Sequence, residues 1–315
     1  MKVYHRLEDF TALSNAIVTT GTFDGVHFGH KKIISRLQTI AASCGGETVL
    51  LTFHPHPRLV LFPDDNDLRL LTTQEEKIAQ LEKLGIHHLV IIPFNKDFSR
   101  ISSLDFVRSI LVKQIGAKKL VIGYDHHFGR NREGSFEHLK EFGPLYGFDV
   151  EEIPVQDIDH VAVSSSKIRQ ALLAGNIPFV NEYLGYLYAL SGKVVKGHQR
   201  GRSIEFPTAN LQVEEPRKLI PANGVYAVRV LISGNRFEGM MNIGNRPTVG
   251  GGAVTIEVHI FDFDQDIYDE TITITLVEKI RNEQKFEHLE ALKAQLHFDK
   301  SKAIALLKQH PNKIE

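Results

Sequence analysis

Two histidines three residues apart, His27 and His30, close a glycine-spaced stretch that runs Gly21-Thr22-Phe23-Asp24-Gly25-Val26-His27-Phe28-Gly29-His30. Glycines at 21, 25 and 29 let backbone N–H groups come close to an anion, and a helix beginning here adds partial positive charge at its N-terminus. Both imidazoles can lie on one side of the first turn and point at a single cluster of oxygens. That is a layout for phosphate. Asp24 has three roles open to it: orienting a histidine, binding a metal through water, or capping the loop. A second helix start rich in hydroxyls and cations, Ser164-Ser165-Ser166-Lys167-Ile168-Arg169, offers Ser166 and Arg169 to another anion.

The other half of the chain carries a different set. Lys193, Lys196, Arg200 and Arg202, with Gly197 and Gly201 between them, form a short basic loop suited to phosphate or to plain solvation. It precedes Phe206-Pro207-Thr208-Ala209-Asn210, where Thr208 and Asn210 stand two apart in an extended segment and so face one way. A hydroxyl and an amide oxygen suit Mg²⁺, which takes hard oxygen ligands and keeps substrate phosphates in its shell. Further on, Glu257 and His259 share one face of an alternating strand. On pattern alone Glu257 is an outward carboxylate on an edge strand.

These groups need two scaffolds. At 315 residues the chain is long enough for two cores. Up to about residue 185 apolar runs alternate with amphipathic segments: Ala16-Ile17-Val18, a helix from Gly29 to Cys44 ended by Gly45-Gly46, then Thr48 to Phe53. A capping box at Thr73–Glu76 opens a helix carrying Ile78, Leu81 and Leu84, and strands follow at 88–92, 120–122 and 150–155 with a helix from Ser103 to Ile115. This predicts an α/β domain, residues 1–185, doubly wound on about five parallel strands, with ligands at their carboxyl ends. From Ser191 the pattern turns to short β-branched runs between glycine turns, closed by a helix from Phe286 to Leu307 that carries Leu289, Leu292, Leu296 and Ile304. Residues 186–315 are therefore expected to form a small antiparallel β-barrel with a C-terminal helix.

Composition narrows the classes. Net charge is −1, so nothing draws the whole chain to nucleic acid, and the basic loop lacks an aromatic platform for bases. One cysteine, Cys44, cannot make an internal disulfide, and the N-terminus lacks a signal-peptide core, so a cytoplasmic location is expected. No apolar run is long enough to span a bilayer. Neither G-x-G-x-x-G after the first strand nor a P-loop is present. The histidine pairs 54/56, 87/88 and 126/127 come without cysteines, and adjacent histidines on a strand point to opposite faces, so no zinc site is expected. Whether the chain forms a homo-oligomer is left open.

The motifs also carry a resemblance. The Gly21–His30 and Ser164–Arg169 elements resemble the nucleotidylyltransferase superfamily, and Thr52–Pro57 with Gly123-Tyr124-Asp125-His126-His127-Phe128-Gly129 narrow this to the bacterial bifunctional riboflavin kinase/FAD synthetases. Ser166 and Lys167 stand where that family usually has threonine and arginine, and His54 where many relatives have an acid. The second half is similar to riboflavin kinases over almost its whole length. Val195-Lys196-Gly197, Gly201-Arg202, Pro207-Thr208-Ala209-Asn210, Gly224–Ala227, Asn242–Thr248, Glu257-Val258-His259 and Arg281–Phe286 carry that likeness, with Glu205 in place of the usual glycine.

The resemblance implies two reactions: riboflavin and ATP give FMN in the barrel, and FMN and ATP give FAD and pyrophosphate in the first domain. It implies that His27 and His30 bind the reacting phosphates, that Ser166 and Arg169 hold the departing ones, and that Asp125, Asn242 and Arg281 border flavin or nucleotide. Glu257 becomes the general base, with His259 placed to tune it, and Thr208 and Asn210 the Mg²⁺ ligands. Two rivals are a chain with only one activity retained and a non-catalytic nucleotide- or RNA-binding module.

Overall fold

A computed structural model describes residues 1–64, 67–124, 126–153, 164–197, 205–245 and 254–310. The chain divides into two compact units, Met1–Ser165 and Ser166–Glu315.

The first unit runs β1 (Lys2–Tyr4), β2 (Ala16–Thr20), α1 (Phe28–Cys44), β3 (Glu47–His54), α2 (Pro57–Leu61), α3 (Gln74–Lys83) and β4 (His88–Pro93). Then come α4 (Ser103–Asp105), which continues as a π-type helix over Phe106–Ile115, β5 (Ala117–Gly123), α5 (Phe136–Tyr146) and β6 (Asp149–Ile153). The strands form one six-stranded sheet in the order β1-β4-β3-β2-β5-β6, every pair parallel. The sixth strand beyond the expected five is β1, whose three residues pair with β4 and carry no apolar run to announce it.

Burial on both faces explains why β3 reads as an unbroken apolar run. Val49 and Leu51 enter one core with Val18, Val90 and Leu111, while Leu50 enters the opposite one with Ile34, Leu81 and Leu89. Helix α1 turns Ile34, Leu37, Ile40 and Ala41 inward and ends at Gly45, whose φ of 61° is the left-handed cap that glycine adopts readily. Helix α3 opens on the expected capping box: Thr73 accepts from Glu76 N–H at 3.2 Å and Glu76 accepts from Thr73 N–H at 2.9 Å. Because β3 and β5 flank β2, the chain reverses direction across the sheet beside β2, and the loop after β2 opens at that point.

The second unit holds α6 (Ser165–Ala174, from Ser166 on), α7 (Ile177–Leu184), β7 (Ala189–Val195), β8 (Ala209–Gln212), β9 (Gly224–Ile232), β10 (Asn235–Asn245), β11 (Val254–Ile260), β12 (Thr271–Arg281) and α8 (Leu289–Gln309). Its six strands close into an antiparallel barrel in the order β10-β11-β8-β7-β12-β9. The Asn181 amide donates to Leu276 O at 2.9 Å and accepts from Tyr188 N–H at 2.8 Å, which seats α7 on β12. Residues alternate between the barrel interior and a face covered by α8, where Val225, Ala227 and Met240 meet Ala303 and Leu307.

Two details differ from the sequence pattern. Leu289 is 57% exposed, because the buried stripe of α8 begins one turn later at Leu292. Strand β10 was hidden by Gly239 and Gly244, yet a Cβ at Gly239 would overlap the His259 carbonyl of the next strand, so the glycine is what allows close pairing. No helix among the described residues is long and apolar enough to cross a membrane.

Candidate active sites

The glycine loop is built under strain. Phe23 and Val26 have φ of 49° and 38°, and Gly25 has φ of 83°. Positive φ costs a β-branched residue most, so the surroundings must hold Val26 there. They do so through Asp24, which is 4% exposed. Its carboxylate accepts from the N–H groups of Leu71 and Thr72 at 3.0 and 3.1 Å, and the Thr72 hydroxyl meets Gly25 N–H at 3.2 Å. Ser165 Oγ donates to the Asp24 carbonyl at 3.0 Å. Of the three roles open to Asp24, the contacts fill that of loop anchor.

His27 is the residue before α1, buried, and His30 lies one turn on and partly buried. Their rings stack with centroids 3.8 Å apart and planes 18° apart, and Phe23 lies 4.8 Å from the His30 ring. Burial, then His27, then Lys77 push the His30 imidazole well below the ordinary histidine value, so it is neutral at pH 7. Its Nδ1 is buried with no hydrogen-bond partner among the described residues. Gly21, Gly25 and Gly29 thus join His27 and His30 in one place.

Below them lies a residue the sequence reading passed over. Lys77, on α3, is 8% exposed, and its Nζ donates to Thr22 O and Thr52 Oγ1, both at 3.3 Å. Burial lowers it to about 8, against the pull of Asp24. The signal was present: Lys77 stands four residues before buried Leu81, on the helix face that must turn inward.

Ser166 and Arg169 stand on α6 in the second unit, Ser166 exposed and Arg169 half-buried. Asp125, Gly201 and Arg202 lie outside the described residues. The 87/88 histidine pair has structural partners: Glu47 takes His88 Nε2 at 2.8 Å, and His87 Nδ1 accepts from Thr48 N–H at 3.0 Å. His54 is exposed at the end of β3, with its carbonyl taking Phe94 N–H at 3.0 Å. Among the described residues no three histidine, cysteine or acidic groups gather as a metal cluster.

In the barrel, strand register makes the site. Glu257 on β11 is paired with Asn242 on β10 and with Asn210 on β8, so the three side chains stand in one row on one face. Gly197 abuts this row, and a Cβ there would overlap the Asn210 amide. Thr208 lines a cavity of about 350 Å³ with Val194, Val258, Asp266 and Tyr268. Neither Asn210 nor Glu257 lines that cavity.

His259 shares Glu257's face, but its Nδ1 donates to Pro207 O at 2.8 Å and its ring packs 5.0 Å from Phe206. Burial lowers its pKa. It holds the backbone next to Thr208. Arg281 gives Nε and Nη2 to Asp299, which has 0% exposure, at 2.7–3.0 Å, and Nη1 to Asn282 O. Glu205 has φ of 67°, the region a glycine would favour, and meets Lys293 of α8 at 2.7 Å.

Comparison with known proteins brings both halves together. A family model for FAD synthetase matches residues 9–167 and one for riboflavin kinase matches residues 184–307. The chain belongs to the bifunctional riboflavin kinase/FMN adenylyltransferase family. Its relatives of that name include those of Escherichia coli K12, 39% identical over 90% of each chain, and Bacillus subtilis 168, 35% identical over 96% of this chain and 95% of that one. A crystal structure titled macrolide-efflux protein, from Streptococcus pneumoniae, superposes with a TM-score of 0.88 at 32% identity, covering 96% of this chain and 98% of that one. In this family arrangement the glycine loop falls in the FAD synthetase match, and the Asn242–Glu257–Asn210 row in the riboflavin kinase match.

Proposed function

We propose that this enzyme makes FMN from riboflavin at the barrel row and FAD from FMN at the glycine loop, each with ATP. The observation supporting this is that the glycine loop and the barrel row carry separate groups suited to phosphate, different in chemistry.

At the loop an FMN phosphate oxygen attacks the α-phosphorus of ATP, the bond to the β-phosphate breaks, and pyrophosphate leaves. No covalent enzyme intermediate is needed, so the residues position groups and stabilise charge. His27 and His30 donate N–H bonds to phosphate oxygens as negative charge grows, and the N–H groups of Gly21, Gly25 and Gly29 support them. Ser166 and Arg169, by family resemblance, take the departing phosphates, with Asp125 bordering the nucleotide or flavin.

In the barrel Glu257 accepts the proton of the riboflavin 5′-hydroxyl while that oxygen attacks the γ-phosphorus of ATP, the bond from that phosphorus to the bridging oxygen breaks, and ADP leaves. Thr208 and Asn210 would hold Mg²⁺, which neutralises phosphate charge when bound with ATP. Gly197, Gly201 and Arg202 cover the phosphates, and Asn242 borders the substrate beside Glu257. Arg281 contributes from further back, by anchoring α8 through Asp299. We place the enzyme in the cytoplasm, with soluble substrates and neither nucleic acid nor membrane as partner.

The test is direct. Purified protein given riboflavin, ATP and Mg²⁺ should form FMN and then FAD, separable by chromatography, and chelation of the metal should stop the first step. FMN with no FAD, or FAD only from supplied FMN, would mean that one activity alone is retained.

A further inference from the structure

Lys77 is costly where it stands. An ammonium removed from water loses several kcal/mol of hydration, and two neutral oxygens at 3.3 Å return only part of that. A methionine or leucine would fill the same inward position of α3 and pack with Leu81. A buried cation is retained, and it lies beneath the loop that the proposed reaction uses.

Its contacts state what it does. Nζ bridges the Thr22 carbonyl, inside the loop, and the Thr52 hydroxyl near the end of β3. Thr52 Oγ1 itself donates to the same Thr22 carbonyl at 3.1 Å. The carbonyl is thereby drawn down into the protein by two donors. With successive peptide groups constrained by the positive φ of Phe23, Gly25 and Val26, fixing one carbonyl fixes which way the neighbouring N–H groups point. We propose that Lys77 is a positioning residue for adenylyl transfer, a buried cation that sets the shape of the glycine loop and faces the two imidazoles without touching substrate.

This rests on the reading of the loop as the FMN adenylyltransferase site. Among the described residues, His27 from the same turn and Lys77 from α3 act on the His30 ring, and the Asp24 carboxylate acts on Lys77. The Lys77 charge works in the same direction as burial, keeping the His30 ring neutral, with a free electron pair or an N–H to offer rather than a full charge. Because Lys77 is buried, its positive field acts on the loop through protein rather than solvent.

Three variants separate charge from shape. Lys77→Met removes both charge and donor, Lys77→Gln keeps a donor without the charge, and Lys77→Arg keeps both. For Lys77→Met the rate of FAD formation from FMN should fall about a hundredfold, the cost of a small misplacement of catalytic groups, with FMN formation from riboflavin unchanged. In Lys77→Gln the His30 ring, followed by NMR titration, should protonate at higher pH than in the wild type, and the acid limb of FAD formation should move up with it. Lys77→Arg should return that limb to its wild-type place. If Lys77→Met does not fold, the other two variants decide.

Unchanged rate, His30 titration and acid limb in folded Lys77→Gln would overturn the inference, as would loss of rate with no movement of His30. Failure of the underlying reading looks different. His27→Ala would then leave FAD formation intact, whatever Lys77 does.

Discussion

The two candidate sites are shaped by opposite structural means. The loop site is made by burial and strain: two stacked imidazoles, a buried ammonium and positive φ at Phe23 and Val26, all tied by a carboxylate that binds backbone. The barrel site is made by register: one row across β10, β11 and β8 puts Asn242, Glu257 and Asn210 side by side with ordinary backbone on each strand. A loop that must wrap an anion has no ladder to shape it, so its geometry comes from buried side chains. A strand has its geometry from its neighbours, and the side chains are left for the chemistry.

That contrast can be broken at several points. Glu257→Gln should lower FMN formation by about 10²–10⁴-fold, the usual contribution of a general base, with FAD formation from supplied FMN kept. His27→Ala should lower FAD formation by about 10²–10³-fold, as for other single donors to a developing oxyanion, while FMN accumulates. Both are read by chromatography of the flavins.

A smaller effect is expected at Gly197→Ala, where the added methyl must displace the Asn210 amide. FMN formation should weaken roughly tenfold through a raised Mg²⁺ requirement, about the effect of 1.4 kcal/mol, seen in a metal titration of initial rates. The smallest difference is one of pH. His126 is held neutral down to about 4 by burial first, then His127 and Arg132, and His30 is lowered too, whereas both would take up protons near 6.5 in the unfolded chain. The unfolded state therefore binds more protons below that value, and the first unit loses stability as pH falls from about 6.5 toward 4. Hydrogen exchange at pH 7 and pH 5 should show faster opening of β2, β3 and β5 at the lower pH, and His126→Phe should reduce the difference.

Much of this was legible in the chain. The apolar runs of β2, β3 and β4 and the capping box at Thr73 declare themselves, because parallel strands and helix caps impose patterns local in sequence. The histidine pair was legible for the same reason, being one turn of helix. The rest depended on partners far along the chain. Lys77 stands on the inward face of α3, but its partners Thr22 and Thr52 lie far back along the chain, and Asp24 needed Leu71 and Thr72 to settle its role. Arg281 lies in a motif but spends its donors on Asp299, a partner that only the packing of α8 reveals. His259 shares a face with Glu257, as alternation requires, yet bonds to Pro207, because cross-strand neighbours compete with neighbours along the strand.

The central claim is that the two chemistries are separate, one centred on the glycine loop and one on the barrel row. Mixing His27→Ala protein with Glu257→Gln protein tests it most directly, in the presence of riboflavin, ATP and Mg²⁺. The first variant should supply FMN, the second should convert it, and FAD should form from riboflavin in the mixture although neither variant makes it alone. If either folded variant lacks both half-reactions, so that mixing restores nothing, the division of labour between loop and barrel is contradicted.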